Sequence, residues 1–204
     1  MFILESDFKN IIDQLQQHKL WVETVGEQGK KLGLDEIDLR SIDLSDYSLD
    51  QAYFTECIFN SMSLQSSDFH NSVLCSSEFI STNLYGANFY KADLSYTNFS
   101  KSYMQSTKLA KADCYEAIFR DTDLTNANLV ACLFYDTNFH NAILKNADIS
   151  VASFKNVVLH GADLSGLRGV EEAIISSINI GTLDAPVILR EEEAKRWIQS
   201  QAEK

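Results

Sequence analysis

The sequence predicts an all-β solenoid, and three observations predict it. Large apolar residues recur every five positions from Leu34 to Leu164, small residues recur two positions ahead of them, and glycines gather at the two ends of the periodic stretch. A helix repeats near 3.6 residues and a strand near 2, so a strict period of five belongs to neither alone.

The large register holds 27 consecutive positions without a slip of frame: 14 Leu, 10 Phe and one each of Met104, Cys114 and Ile149. The small register reads Ala52, Cys57, Met62, Ser67, Ser72, Ser77, Thr82, Ala87, Ala92 and onward in the same style to Ala162. Residues two apart on an extended segment point the same way, so the small and the large residue both face inward and the one between faces out. The other two residues of each unit must turn a corner. Corners recurring every five residues close the chain into a coil, and stacked coils pair their backbones at about 4.8 Å. Each buried Leu or Phe contributes about 1.5–3 kcal/mol.

Units such as Ala87-Asn88-Phe89, Ala92-Asp93-Leu94 and Ala127-Asn128-Leu129 have the form A(D/N)LXX. Over residues 32–166 the chain resembles the bacterial pentapeptide-repeat family. The resemblance implies four units per coil, hence a right-handed quadrilateral β-helix of about seven coils, a rod of roughly 32 Å. Residues twenty apart should then form columns, and they sort by type. Leu39, Phe59, Phe79, Phe99, Phe119, Phe139 and Leu159 make one column; Leu44, Leu64, Leu84, Met104, Leu124, Leu144 and Leu164 make the next.

Short α-helical caps are expected at both ends, because a coil stack leaves raw edges that invite association. Residues 1–31 read as an N-terminal cap, with Ser6 capping a helix that carries Phe8, Ile11, Ile12 and Leu15. Residues 167–204 read as a C-terminal cap and tail: Val170, Ala173, Ile174 and Ile178 suit a short helix, the chain around Pro186 an extended segment. Residues 190–202 suit a last helix with Ala194, Trp197 and Ile198 on one face. A dimer contact is the alternative to a cap for that last helix, so the chain is expected as a monomer or as a dimer through its C-terminal segment.

The first twenty residues include Glu5, Asp7, Lys9 and Asp13, which breaks the apolar run of a signal peptide, and no membrane span is expected. Cys57, Cys75, Cys114 and Cys132 have neither C-x-x-C nor metal-ligand spacing and read as small buried hydrophobes in a reducing compartment. A cytoplasmic location follows as the expectation.

A net charge of −12 disfavours direct contact with nucleic acid or anionic membranes and favours a protein partner with a basic surface. The acidity is uneven. Residues 32–89 hold nine acids and one base, Arg40, whereas residues 90–166 hold eight acids and seven bases. Along the first coils that is one charge per ~1.8 Å, close to the ~1.7 Å of duplex DNA. Quinolone-resistance (Qnr-type) members of the family mimic DNA and bind type II topoisomerases, so the resemblance implies a DNA-mimicking modulator of DNA gyrase as a second reading. Two features depart from it: the dense charge spans only about four base pairs, and the repeat frame carries no protruding loops.

No phosphate loop, nucleophile elbow or H-E-x-x-H occurs, so no cofactor and no catalysis are expected. His140 and His160 fall in one outward column below Arg120, a pairing that could share a metal but lacks a carboxylate or thiol to complete a ligand set. The function expected first is therefore a non-enzymatic interaction or scaffold protein. Its candidate partner surface comprises Asp35, Glu36, Asp38, Asp43, Asp46, Asp50 and Glu56, together with the outward apolar residues Ile58, Ile80 and Ile118. Val158 adds to that apolar row, and Tyr115 and Tyr135 are expected to stack on the adjacent side.

Overall fold

Backbone pairing in the computed structural model follows the period read from the sequence. Residues 5–182 and 184–204 are described, with side chains from Asp7 onward. Parallel bridges join residue i to residue i+20 along the chain, from Asp38↔Ile58 through Asn98↔Ile118 to Asp148↔Arg168. Four five-residue units therefore complete each turn. Where the ladder is longest it forms short strands: β1 (Gly33–Asp35) on β2 (Tyr53–Thr55), and β3 (Leu133–Tyr135) on β4 (Ser153–Lys155).

All 27 large-register residues are buried, and the Phe column stacks face to face, with centroids 4.4 Å apart for Phe59–Phe79 and 5.1 Å for Phe79–Phe99. The small slot does more than avoid a clash. Thr82 Oγ1 donates to the Phe59 carbonyl at 2.9 Å, Thr97 to Leu74 at 2.8 Å and Thr122 to Phe99 at 2.7 Å, each reaching the coil before. Cys132 Sγ does the same to Leu109 at 3.0 Å. A hydroxyl in the core is thus tolerated because a carbonyl awaits it.

Each unit's backbone N–H groups have assigned partners. The small residue donates three positions back, closing the corner (Ala92 N to Phe89 O, 3.0 Å). The outward and the large residues donate to the coils on either side (Asp93 N to Ser72 O, 2.9 Å; Leu94 N to Asp113 O, 2.8 Å). The residue preceding the small one has positive φ at every unit from Gln51 to Gly166, and from Gln51 to Asn146 its N–H joins the ladder. One N–H remains, on the residue after the large one. Where the outward residue is Asp or Asn, its side chain takes it: Asn98 Oδ1 accepts Ser100 N at 3.0 Å, and Asp123 Oδ1 accepts Thr125 N at 2.9 Å. This side-chain turn is the physical reason for Asp or Asn in the slot.

Helix α1 (Glu5–Glu23) runs past Leu15 through Leu20 and Trp21 and buries Ile11, Leu15 and His18. The Ser6 side chain, expected as its cap, lies outside the described residues. His18 bridges helix and coil: Leu32 N donates to its Nδ1 at 3.0 Å, and its Nε2 donates to the Asp50 carbonyl at 3.1 Å.

The stretch expected as a short helix near Ile174 is instead strand. Strand β5 (Val157–Val158) pairs with β7 (Ser177–Asn179), and β6 (Ile174–Ile175) pairs with β4, now at an offset of 21 (Ser153↔Ile174, Val157↔Ile178). Val170 and Ala173 are buried in the turn leading to them. The β-branched residues Ile174, Ile175, Ile178 and Ile180 prefer extended backbone, and the open edge of the preceding coil supplies a ladder. One extra residue is absorbed around Gly169, at φ 77°. The chain then turns back: β8 (Ile188–Arg190) lies antiparallel on β7, and α2 (Glu191–Ala202) buries Ala194 and Ile198 with Trp197 half-buried beside them.

Candidate interaction surface

The corners sort the candidate acids into two kinds. Asp38 and Asp43 occupy the outward slot and are held by it. Asp43 Oδ1 accepts Ser45 N at 3.0 Å, which lowers its carboxyl below the usual range. Asp38 pairs with Arg40 at 2.6 Å, and that guanidinium bond lowers it likewise. Asp35 is exposed and accepts the Thr55 hydroxyl. Glu36, Asp46 and Glu56 are exposed corner residues. Asp50 departs from the expected surface. It is only 5% exposed, with Ser48 Oγ at 2.6 Å and Gln51 Nε2 at 3.1 Å on its carboxylate, so its charge is spent inside the first coil.

Glu36 and Glu56 start a column that the sequence reading did not assemble. The corner residues Glu36, Glu56, Ser76, Tyr96, Glu116 and Asp136 follow one another at intervals of twenty, each donating its backbone N–H to the coil below (Tyr96 N to Tyr115 O, 2.8 Å; Glu116 N to Tyr135 O, 2.9 Å). Tyr115 packs edge-on against Tyr96, with centroids 5.4 Å apart, rather than on Tyr135 as expected. The Glu116 carboxylate holds the Tyr115 phenol up, to about 12. Tyr96 is 49% exposed and Tyr135 37%. The result is an acidic edge interleaved with tyrosines. The period-twenty spacing was the signal that could have found it.

The apolar candidates do not make a continuous strip. Ile58, Ile118 and Val158 share a column, but the bridges place Glu78 and Asn98 between the first two and Asn138 between the last two. Ile80 stands on the neighbouring column, its N–H taken by Asn60 Oδ1 at 2.7 Å. All four are only partly exposed.

Among the described residues no group of three His, Cys, Asp or Glu could hold a metal ion. Three cysteines are buried as expected, whereas Cys75 is a half-exposed corner residue. Burial, with Asp93 beside it, pushes the Cys75 thiol up to about 12, and burial pushes Cys57 up to about 11. No described helix is long and apolar enough to cross a membrane.

Comparison with protein families matches pentapeptide repeats, in eight copies, over residues 67–105, 97–134 and 132–166. The chain belongs to the pentapeptide-repeat family. Pentapeptide-repeat proteins form right-handed quadrilateral β-helices, in keeping with the four-unit turn above. Among solved structures, this pentapeptide-repeat protein is similar to HetL, involved in heterocyst differentiation regulation in the cyanobacterium Nostoc sp. strain PCC 7120. The two are 18% identical, with 78% of this chain and 94% of that one covered, at a TM-score of 0.34. It is similar to Rfr23 of the cyanobacterium Cyanothece 51142 (18% identity, 60% and 90% covered, TM-score 0.24). It is similar also to full-length QnrB1, a plasmid-mediated fluoroquinolone resistance protein (16% identity, 68% and 90% covered, TM-score 0.26). All three are too distant to say what this chain binds. No curated protein matches it significantly by sequence.

Proposed function

We propose that this pentapeptide-repeat protein is a non-enzymatic cytoplasmic interaction protein: a rod of about seven coils, ended by α1 and α2, that binds another protein through one edge. The observation that carries the reading is the corner column Glu36, Glu56, Tyr96, Glu116 and Asp136. Exposed tyrosine beside carboxylate suits a partner surface rich in arginine or lysine, which the ring face attracts and the acid pairs. Aromatic residues and arginine dominate the energetics of such interfaces.

A pull-down from the native host tests it. A partner that wild-type protein retains should be lost with Glu116→Lys and Tyr96→Ser together, and kept with charge-reversed Asp43 and Asp46. Equal retention by both variants overturns the edge assignment. A gyrase supercoiling assay, with and without quinolone, separates this reading from the DNA-mimicking one: loss or protection of supercoiling at micromolar protein would favour mimicry.

A further inference from the structure

The histidine column acquires a wall that the repeats alone do not supply. After the coils, Gly181, Thr182 and residues 184–187 lie beside it. Asn179, only 7% exposed, braces this segment: its Oδ1 accepts Gly181 N at 3.0 Å and Val187 N at 2.9 Å. Between wall and column lies a cleft of about 240 Å³, lined by Arg120, Asn138, His140, Val158, Thr182 and Asp184 among others. Drug-sized sites span roughly 300–1,000 Å³, so the occupant is small.

The lining has donors without partners. In a chain of 29 acids and 17 bases, Arg120 makes no ion pair among the described residues. His140 stacks on His160 with centroids 5.3 Å apart and planes 9° from parallel. His160 is committed, its Nδ1 donating to the Ile180 carbonyl at 3.1 Å.

That stacking argues against a metal. Two nitrogens bound to one zinc at 2.0–2.1 Å sit at most about 4.2 Å apart with their lone pairs converging. Rings stacked in near-parallel planes hold their in-plane lone pairs in those same planes and do not converge them on one point. The guanidinium above would also repel a cation. The same groups suit an anion: Arg120 offers a planar fork matched to a carboxylate, and His140 adds a ring N–H. Asp184, in the same lining, is free to accept a donor from such a ligand, and Val158 adds an apolar surface.

We propose that this cleft binds a small carboxylate bearing a neighbouring hydroxyl or amino group, with the carboxylate on Arg120 and His140 and the donor on Asp184. Titration of full-length protein, followed by the NMR signals of the His140 ring, tests it with L-lactate and L-alanine as probes and acetate and inorganic phosphate as comparators. At least one of the two probes should give a saturable shift, tighter than acetate or phosphate. Arg120→Gln should weaken it about tenfold or more, the worth of a charged hydrogen bond, and Asp184→Asn should erase the preference over acetate. Both residues are exposed, so their folding is checked simply by an unchanged melting curve. No saturable shift by tens of millimolar, tighter binding of phosphate or zinc, or undiminished binding by Arg120→Gln would each overturn the proposal.

Discussion

The first coil and the coils after Gln51 share an unbroken inward register, yet only the later ones are regular. Leu34, Leu39, Leu44 and Leu49 are as buried as their successors. The difference lies two residues earlier. Later coils carry Ala, Ser, Thr or Cys in the small slot, apart from Met62 and Val157, whereas the first coil carries Leu32, Ile37, Ile42 and Tyr47. Ser41 and Asp46, the corner residues before Ile42 and Tyr47, lack the positive φ found at every corner from Gln51 on. Among the described residues no bridge joins Asp43 to Ser63 or Ser48 to Asp68. The turns still close there, Ile42 N donating to Leu39 O at 2.9 Å and Tyr47 N to Leu44 O at 3.1 Å, but without a left-handed corner the outward backbone does not join the ladder. Helix α1 compensates, packing Ile11, Leu15 and His18 onto this wider coil, and Lys19 Nζ donates to the Asp46 carbonyl at 3.3 Å. The large residue sets where the core is; the left-handed corner accompanies the unbroken ladder.

Substitutions can break that contrast. The largest effect is expected from Phe99→Asp, which buries an unpaired charge in the Phe stack and should abolish the cooperative thermal transition. Leu44→Asp, on the loosely paired first coil, should leave a lowered but measurable transition; equal loss would erase the distinction between the coils. Next come the slot exchanges. Ile42→Ala should cost about 2–5 kcal/mol through a cavity. Ala92→Ile should cost about 1–3 kcal/mol by overpacking a corner that cannot widen. Chemical denaturation measures both, and a neutral Ala92→Ile would show that slot size does not matter.

A pH effect separates the ends. His18 is neutral in the fold, since Nδ1 accepts from Leu32 and Nε2 donates to Asp50. Burial lowers its pKa, opposed by the Asp50 carboxylate and backbone, and Lys31 lowers it further. A lowered folded pKa means that its contribution is complete above the unfolded value of about 6.5 and is lost as pH falls below it. The protection of the Leu32 amide against exchange, relative to its intrinsic rate, should therefore fall on acidification before that of amides in the Phe99 coil does, and His18→Gln should flatten that response.

Smallest are the outward positions. Asn98→Ala strands the Ser100 N–H and should cost about 0.5–1.5 kcal/mol. Asn126→Asp, at a left-handed corner that both residues tolerate, should be nearly neutral. A melting-temperature series that reversed these two would contradict the turn assigned to the outward slot.

Period five, read directly from the letters, determined which side chains meet inside, because a side chain's direction along a repeating backbone depends only on its place in the repeat. It determined the columns too, once four units are taken per turn. Three things waited for the tertiary structure. The Asp and Asn of the outward slot read as free surface until the N–H two residues on was seen to need them. Val170, Ala173, Ile174 and Ile178 read as helix because an apolar spacing does not record that a neighbouring edge stands open. The cleft at His140 required Gly181, Thr182 and Asp184 to return to a column laid down some forty residues earlier. Each depends on what lies across space from a residue, and a one-dimensional pattern holds only what lies along the chain.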